Sequence, residues 1–170
     1  MLGATSGILF TDGVERRTDY APLLMDEGTL YFANQQGTGL VKVIRPMLYY
    51  QRTNPRALLL ELFKGPLSTD SRTDTQAVLP LGGFSDADIL GLSLNDQTLA
   101  VNFSTAFSKA GADMTPEQDR MLAYALVDTL LKGEQAARIC FFVGGKTPAD
   151  FTGEIDWTGY FYQNYGLLDE

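Results

Sequence analysis

Histidine is absent from the 170-residue sequence, which removes the side chain most often used as a general base near neutral pH and the commonest metal ligand. Ser-His-Asp, Cys-His and His-zinc chemistry are therefore excluded. Cysteine occurs once, as Cys140, so no internal disulfide can form. It sits in Ile139-Cys140-Phe141-Phe142-Val143, where nothing would stabilise a thiolate, and a buried, inert thiol is expected. Basic residues are the minority: 13 Lys and Arg stand against 21 Asp and Glu, for a net charge of -8 and a pI near 4.5. The average field thus repels phosphate backbones and anionic headgroups, so nucleic acid is not an expected partner. No run approaches the roughly 20 apolar residues that span a bilayer. The opening Met1-Leu2-Gly3-Ala4-Thr5-Ser6-Gly7 has neither a basic segment nor an apolar one, so it is not expected to be a signal peptide.

What is present is ordinary globular material. Hydrophobic residues make up 45% and charged residues 20%, enough apolar side chain for one domain with a single core. Residues 1–26 mix Gly, Thr, Asp and Arg without periodicity and read as an N-terminal extension, with one short strand at Ile8-Leu9-Phe10. Residues 27–147 carry regular patterns and form the domain. Residues 148–170 form a C-terminal tail rich in aromatics, including Trp157, Tyr160, Tyr162 and Tyr165.

Within the domain, Thr29-Leu30-Tyr31-Phe32-Ala33 and Leu40-Val41-Lys42-Val43-Ile44 are rich in β-branched and aromatic residues and predict two adjacent strands. Asn54 followed by Pro55, with Leu58, Leu59, Leu62 and Phe63 at helical spacing before Gly65-Pro66, predicts a capped amphipathic helix. Leu67 to Gln76 reads as a polar loop on which Asp70 and Asp74 serve solubility. After Leu79-Pro80 and Gly82-Gly83, Leu90, Leu92 and Leu94, then Leu99, Val101 and Phe103, alternate with small or polar residues around Asn95-Asp96-Gln97, predicting a second hairpin. Thr115-Pro116-Glu117-Gln118 has the pattern of a capping box and opens a helix running to Leu130, closed by Lys132-Gly133. Ala137 to Val143, apolar throughout, predicts a strand in the middle of the sheet. The order β-β-α-β-β-α-β, with two helices for about five strands, implies an α+β two-layer sandwich, mostly antiparallel, with both helices on one face.

Each motif that suggests chemistry fails at a specific position. Gly144-Gly145-Lys146-Thr147 resembles the end of a phosphate-binding loop, but the required upstream glycine falls at Cys140 and no helix-forming stretch follows. A strand end and turn is the better reading. Asp86-Ala87-Asp88 begins like a calcium loop, yet Leu90 and Gln97 occupy later ligand positions. Asp70 and Asp74 could pair as acid and base only if burial split their pKa values. Ser104 has no histidine to activate it and lies outside any nucleophile elbow, so capping the turn Thr105 to Phe107 is expected.

Taken in order, Ala57-Leu58-Leu59-Leu60-Glu61-Leu62-Phe63-Lys64-Gly65-Pro66, then Leu79-Pro80, then Leu99-Ala100-Val101-Asn102-Phe103-Ser104 with Phe107, then Glu117 to Leu130 ending in Val127-Asp128-Thr129-Leu130, then Ile139 to Gly144, resemble the GerMN domain of bacterial sporulation and germination proteins. The resemblance covers roughly Glu27 to Thr147. It implies a fold like the small ring-building motifs of secretion systems and a non-enzymatic assembly role in the cell envelope. It further implies an exported, lipid-anchored location for the full-length protein. The implied partners are other envelope or sporulation-channel proteins, with self-association and peptidoglycan as further possibilities. It carries no catalytic residue, metal ligand or cofactor. The loop Lys109-Ala110-Gly111-Ala112-Asp113 departs from the pattern and bears on contacts made there.

The aromatic tail lies outside this resemblance. Trp and Tyr bury large areas while keeping a polar handle. Trp157, Tyr160, Tyr162 and Tyr165 are therefore candidates for partner or glycan contact, and equally for docking on the chain's own domain.

Overall fold

The structure, a computed structural model, describes residues 24–78, 83–132, 136–149 and 151–169. The strand expected at Ile8-Leu9-Phe10, the Leu79-Pro80 motif and Gly133 lie outside the described residues.

The first hairpin forms as its residues predict, and extends further than expected. Strand β1 (Met25–Asn34) pairs antiparallel with β2 (Leu40–Leu48), in register from Met25 opposite Leu48 to Ala33 opposite Leu40. Asn34 organises the connection: its Oδ1 accepts from the Thr38 N–H at 2.9 Å and its own N–H donates to the Gly39 carbonyl at 2.9 Å. A short helix α1 (Tyr49–Thr53) follows, and then α2 (Pro55–Phe63). Asn54 caps α2 by accepting from the Ala57 N–H, with Pro55 at its first position. The supposed polar loop does more than connect. Its last residues form β3 (Thr75–Gln76), which pairs with the far end of β1 and completes a three-stranded sheet ordered β2-β1-β3.

Asp70, expected on the surface, is buried. The Arg45 guanidinium, on β2 and equally inaccessible, donates to both of its carboxylate oxygens at 2.6 and 2.8 Å. Arg45 also donates to the carbonyls of Glu61 at 2.9 Å and Gly65 at 2.7 Å. A buried guanidinium needs this fork of acceptors, and the loop folds back because it supplies them.

The second half builds a separate sheet. Strand β4 (Ile89–Asn95) pairs antiparallel with β5 (Thr98–Phe103) around Asp96 and Gln97, and β5 pairs parallel with β6 (Arg138–Val143). A parallel pair requires a long crossover, which α3 (Ala106–Ala110) and α4 (Pro116–Leu131) provide. The α+β architecture holds, but its strands split into two three-stranded sheets, and one ladder is parallel. β6 ends its sheet instead of lying centrally: β5 is the middle strand, and the outer side of β6 is met by the tail at Phe161.

α4 joins the halves. Thr115 and Gln118 form its capping box, and the helix packs on β1, α2 and β6. So much of its circumference is covered that Asp119, Asp128 and Thr129 are buried along with its leucines. Apolar side chains of both sheets and of α4 make one core. It contains a stack of Phe103 on Phe107, with centroids 4.4 Å apart, that continues to Phe141 at 6.2 Å.

Candidate interaction surfaces

The buried polar residues of α4 govern the tail. Asp119, in the first turn, accepts from the Trp157 Nε1–H at 2.8 Å and from the Thr152 hydroxyl at 2.5 Å. Trp157 thereby reaches the core with its one donor satisfied. Its exposure is 0%, and the rings of Phe107, Phe141, Phe151 and Phe161 surround it at 5.3 to 5.7 Å between centroids. Burying about 200 Å² of indole at about 25 cal/mol per Å² contributes about 5 kcal/mol before entropy is counted. Trp157 is therefore part of the core, docked on the chain's own domain.

Beyond Trp157, Phe161 exchanges two backbone hydrogen bonds with Ile139 of β6 at 2.8 and 3.0 Å. The Asn164 N–H donates to Asp128 Oδ1 at 2.9 Å. The Asp169 N–H donates to the Leu40 carbonyl at 2.7 Å, and its carboxylate accepts from Asn34 Nδ2 at 2.7 Å. The tail thus docks along its length. Three tyrosines remain at the surface: Tyr160, Tyr162 and Tyr165 are 56%, 55% and 45% exposed. One face of Tyr160 is occupied by the Arg138 guanidinium at 4.0 Å. Tyr162 hydrogen-bonds the same guanidinium, raising the pKa of Arg138. Tyr165 leans on Tyr31 at 6.4 Å.

Among the described carboxyls, Asp128 is the one raised strongly above its ordinary value. Burial pushes its carboxyl up to about 6, opposed by the Asn164 hydrogen bond. Its Oδ2 is buried without a partner among the described residues. Nearby, the Tyr31 hydroxyl is pushed up by burial and then by Tyr165 and the Asp128 charge.

The residues considered for chemistry have structural partners. Ser104 donates its hydroxyl to Asp88 at 2.8 Å. Asp86 pairs with Arg56 at 2.8 Å. Asp74 pairs with Arg72, whose guanidinium holds its carboxyl below the usual range. Gly144 and Gly145, at φ +58° and +80°, turn the chain so that Val143 and Lys146 bond each other. Burial raises the Cys140 thiol, making it a weaker nucleophile at neutral pH.

The other open feature is the edge of β4. Asp96 and Gln97 both adopt positive φ, 57° and 63°, the conformation of a two-residue type I′ turn. In such a hairpin the closing pair, Asn95 and Thr98, is hydrogen-bonded, and bonded pairs then alternate. The N–H and C=O groups of Leu92 and Leu94 consequently point away from β5. Their side chains share a face with Val101 and Leu99 and border a groove of about 390 Å³ between β4, Leu130 and the Asn54-Pro55-Arg56 corner. Leu94 is 48% exposed. The strong alternation of β4 suggested a half-buried strand, but periodicity alone gave no sign that its apolar face would be covered at Leu92 and left open at Leu94.

Comparison with known proteins places this arrangement. A family model described as sporulation and spore germination, Germane, matches residues 29–148. The chain belongs to that family. The Germane match spans both sheets and α4 and stops just before the aromatic tail, whose Trp157 completes the core. Among solved structures, the tandem GerMN domains of the sporulation protein GerM from Bacillus subtilis align over 81% of this chain at 20% identity, with TM-score 0.52. The chain spans 44% of that tandem chain. A Clostridium perfringens protein described as a candidate lipoprotein aligns over 81% of this chain and 87% of its own, at 18% identity and TM-score 0.50. At these identities the likeness to both is one of fold. No curated protein sequence matches. No helix among the described residues is long and apolar enough to cross a membrane.

Proposed function

We propose that this Germane-family chain is a non-catalytic assembly module of the cell envelope, working through protein-protein contact during sporulation or spore germination. The observation that carries the reading is the family match over residues 29–148. Support comes from the use of the polar side chains: Asp70 holds Arg45, Asp119 holds Trp157, and Asp88 holds Ser104. Acids committed in this way position elements of the fold. An extracytoplasmic position with a lipid anchor fits the reading, and the fold it shares with a candidate lipoprotein is its support. Residues 27–147 form the family domain in this account, and the tail is a brace. A peptidoglycan-binding platform would have to use Tyr160, Tyr162 and Tyr165 without the indole, with one face of Tyr160 already taken.

Deleting the gene in its own host tests the reading. Heat-resistant spore counts or germination rates should fall and return with the wild-type gene. They should return equally with an Asp74→Asn variant, whose carboxylate is exposed. Normal sporulation and germination in the deletion strain would defeat the proposal. So would failure of a folded carboxylate variant to complement, which would instead indicate catalysis.

A further inference from the structure

The edges of the two sheets are treated unequally. Along β2, the Ser71 N–H donates to the Ile44 carbonyl, the Ile44 N–H donates to the Ser71 hydroxyl, and Asp169 bonds Leu40, while Lys42 and Pro46 lie within the strand itself. β6 is paired by Phe161 and Lys146. These devices, covering segments, proline and lysine, are how proteins guard an edge. β4 has almost none. Its sequence, Ile-Leu-Gly-Leu-Ser-Leu-Asn, contains no charge and no proline. At its start Arg56 covers the Ile89 carbonyl at 3.0 Å. From there to the turn, the outward groups of Leu92 and Leu94 have no partner among the described residues, and the groove of about 390 Å³ opens beside them.

We infer that the β4 edge accepts an extended segment of a partner protein, added antiparallel as a fourth strand, with apolar side chains at alternate positions and basic residues at its ends. This deepens the assembly reading and rests on it. The backbone groups of Leu92 and Leu94 supply the hydrogen bonds. An inward apolar side chain drops into the groove between Leu94, Leu99 and Leu130, which gives selectivity for alternation. Charge sets the ends. Asp86 and Asp88 precede the strand and Asp96 follows it, against Arg56 alone beside the edge; Arg138 is drawn to Thr98 and Tyr160 across β5. The same acids disfavour a second copy, because antiparallel pairing of two β4 strands would set Asp96 of one against Asp86 and Asp88 of the other.

The probe is a fluorescent peptide as long as β4, seven residues, with Val at alternate positions, Thr between them and Lys at both ends, titrated into the full chain and followed by anisotropy. Binding should weaken as salt rises, and a version with Glu ends should bind at least about tenfold more weakly. Leu94→Lys places a charge at the mouth of the groove on an already exposed residue, and Leu94→Pro removes an outward N–H without touching the ladder to β5. Each should weaken binding at least about tenfold, with the melting temperature of Leu94→Lys close to wild type. No binding at millimolar peptide, or equal binding by Leu94→Lys, overturns the inference. Concentration-dependent dimerisation in sedimentation velocity, abolished by Leu94→Lys, would give the edge to a second copy. Peptide binding that appears only after Leu9→Asp and Phe10→Asp changes would give it to the chain's own N-terminal segment. Failure of the peptide with a clear deletion phenotype removes this surface and leaves the assembly reading standing. Edge-specific binding with a silent deletion does the reverse.

Discussion

Replacing Asp128 with Asn should stabilise the protein at neutral pH, because the native fold holds this carboxyl where its charge is poorly tolerated. Its pKa lies at about 6, against an ordinary 3.8. Burial is the cause, and only the Asn164 N–H compensates. The sign follows from proton counts. The native chain still binds the Asp128 proton between about pH 4 and 6 while the unfolded chain has released it, so this group's contribution to stability falls as pH rises through that window. Below the window the contribution is fully present; above it the contribution is lost. A displacement from 3.8 to about 6 corresponds to about 3 kcal/mol at about 1.4 kcal/mol per pH unit. Asparagine keeps an oxygen for the Asn164 N–H and carries no charge. Urea unfolding of both proteins, followed by the fluorescence of Trp157, should therefore give equal stabilities near pH 4 and a variant more stable by about 2 to 3 kcal/mol near pH 7.5. Subtracting one protein from the other cancels the exposed carboxylates. A difference that does not change with pH, or a variant less stable at neutral pH, would refute the reasoning.

Three further perturbations bear on the fold. Asp70→Ala leaves Arg45 buried without its carboxylate fork and should cost about 3 to 5 kcal/mol; a shift below about 1 kcal/mol in urea would show that Glu61 and the Gly65 carbonyl suffice. Asp119→Ala strands the Trp157 Nε1–H in the core and removes the acceptor of the half-buried Thr152 hydroxyl. It should cost about 1 to 3 kcal/mol and shift Trp157 emission to the red, and an unchanged spectrum would mean the indole is held by packing alone. Thr115→Ala removes the cap of α4 and should cost about 1 kcal/mol, read as a lower urea midpoint at constant slope.

The elements that were legible in the sequence are those set by neighbours in the chain. Asn54 with Pro55, and Thr115 with Gln118, mark helix starts within one turn, and both caps form. Asn95-Asp96-Gln97 between alternating leucines is likewise local, and it makes the tight hairpin. What stayed hidden depends on distant partners. Arg45 and Asp70 are 25 positions apart, and neither composition nor period links them, so a loop rich in Ser, Thr and Asp read as solvent-facing. β3, only Thr75–Gln76, is too short to show alternation. The division into two sheets is a matter of pairing, which strand patterns do not encode. For the tail, composition announced the aromatics but not their sorting: Trp157 goes inward because Asp119, 38 positions earlier, offers an acceptor at the right depth. The open edge of β4 was invisible for a related reason, since alternation marks which face is apolar and not what covers it.

The tail runs from Phe161 on β6 to Asp169 beside Leu40 on β2, so it stitches one sheet to the other. That seam determines how a force applied at Asp169 would spread. A pull entering at Asp169 first meets its bonds to Leu40 and Asn34, then the Asn164 bond to Asp128, then the Phe161 pair. The stitches give way in sequence, and Trp157 leaves the core only after them. Pulled from that end, the molecule gives up its edge contacts on β1, β2 and β6 before Trp157 is drawn out of the core.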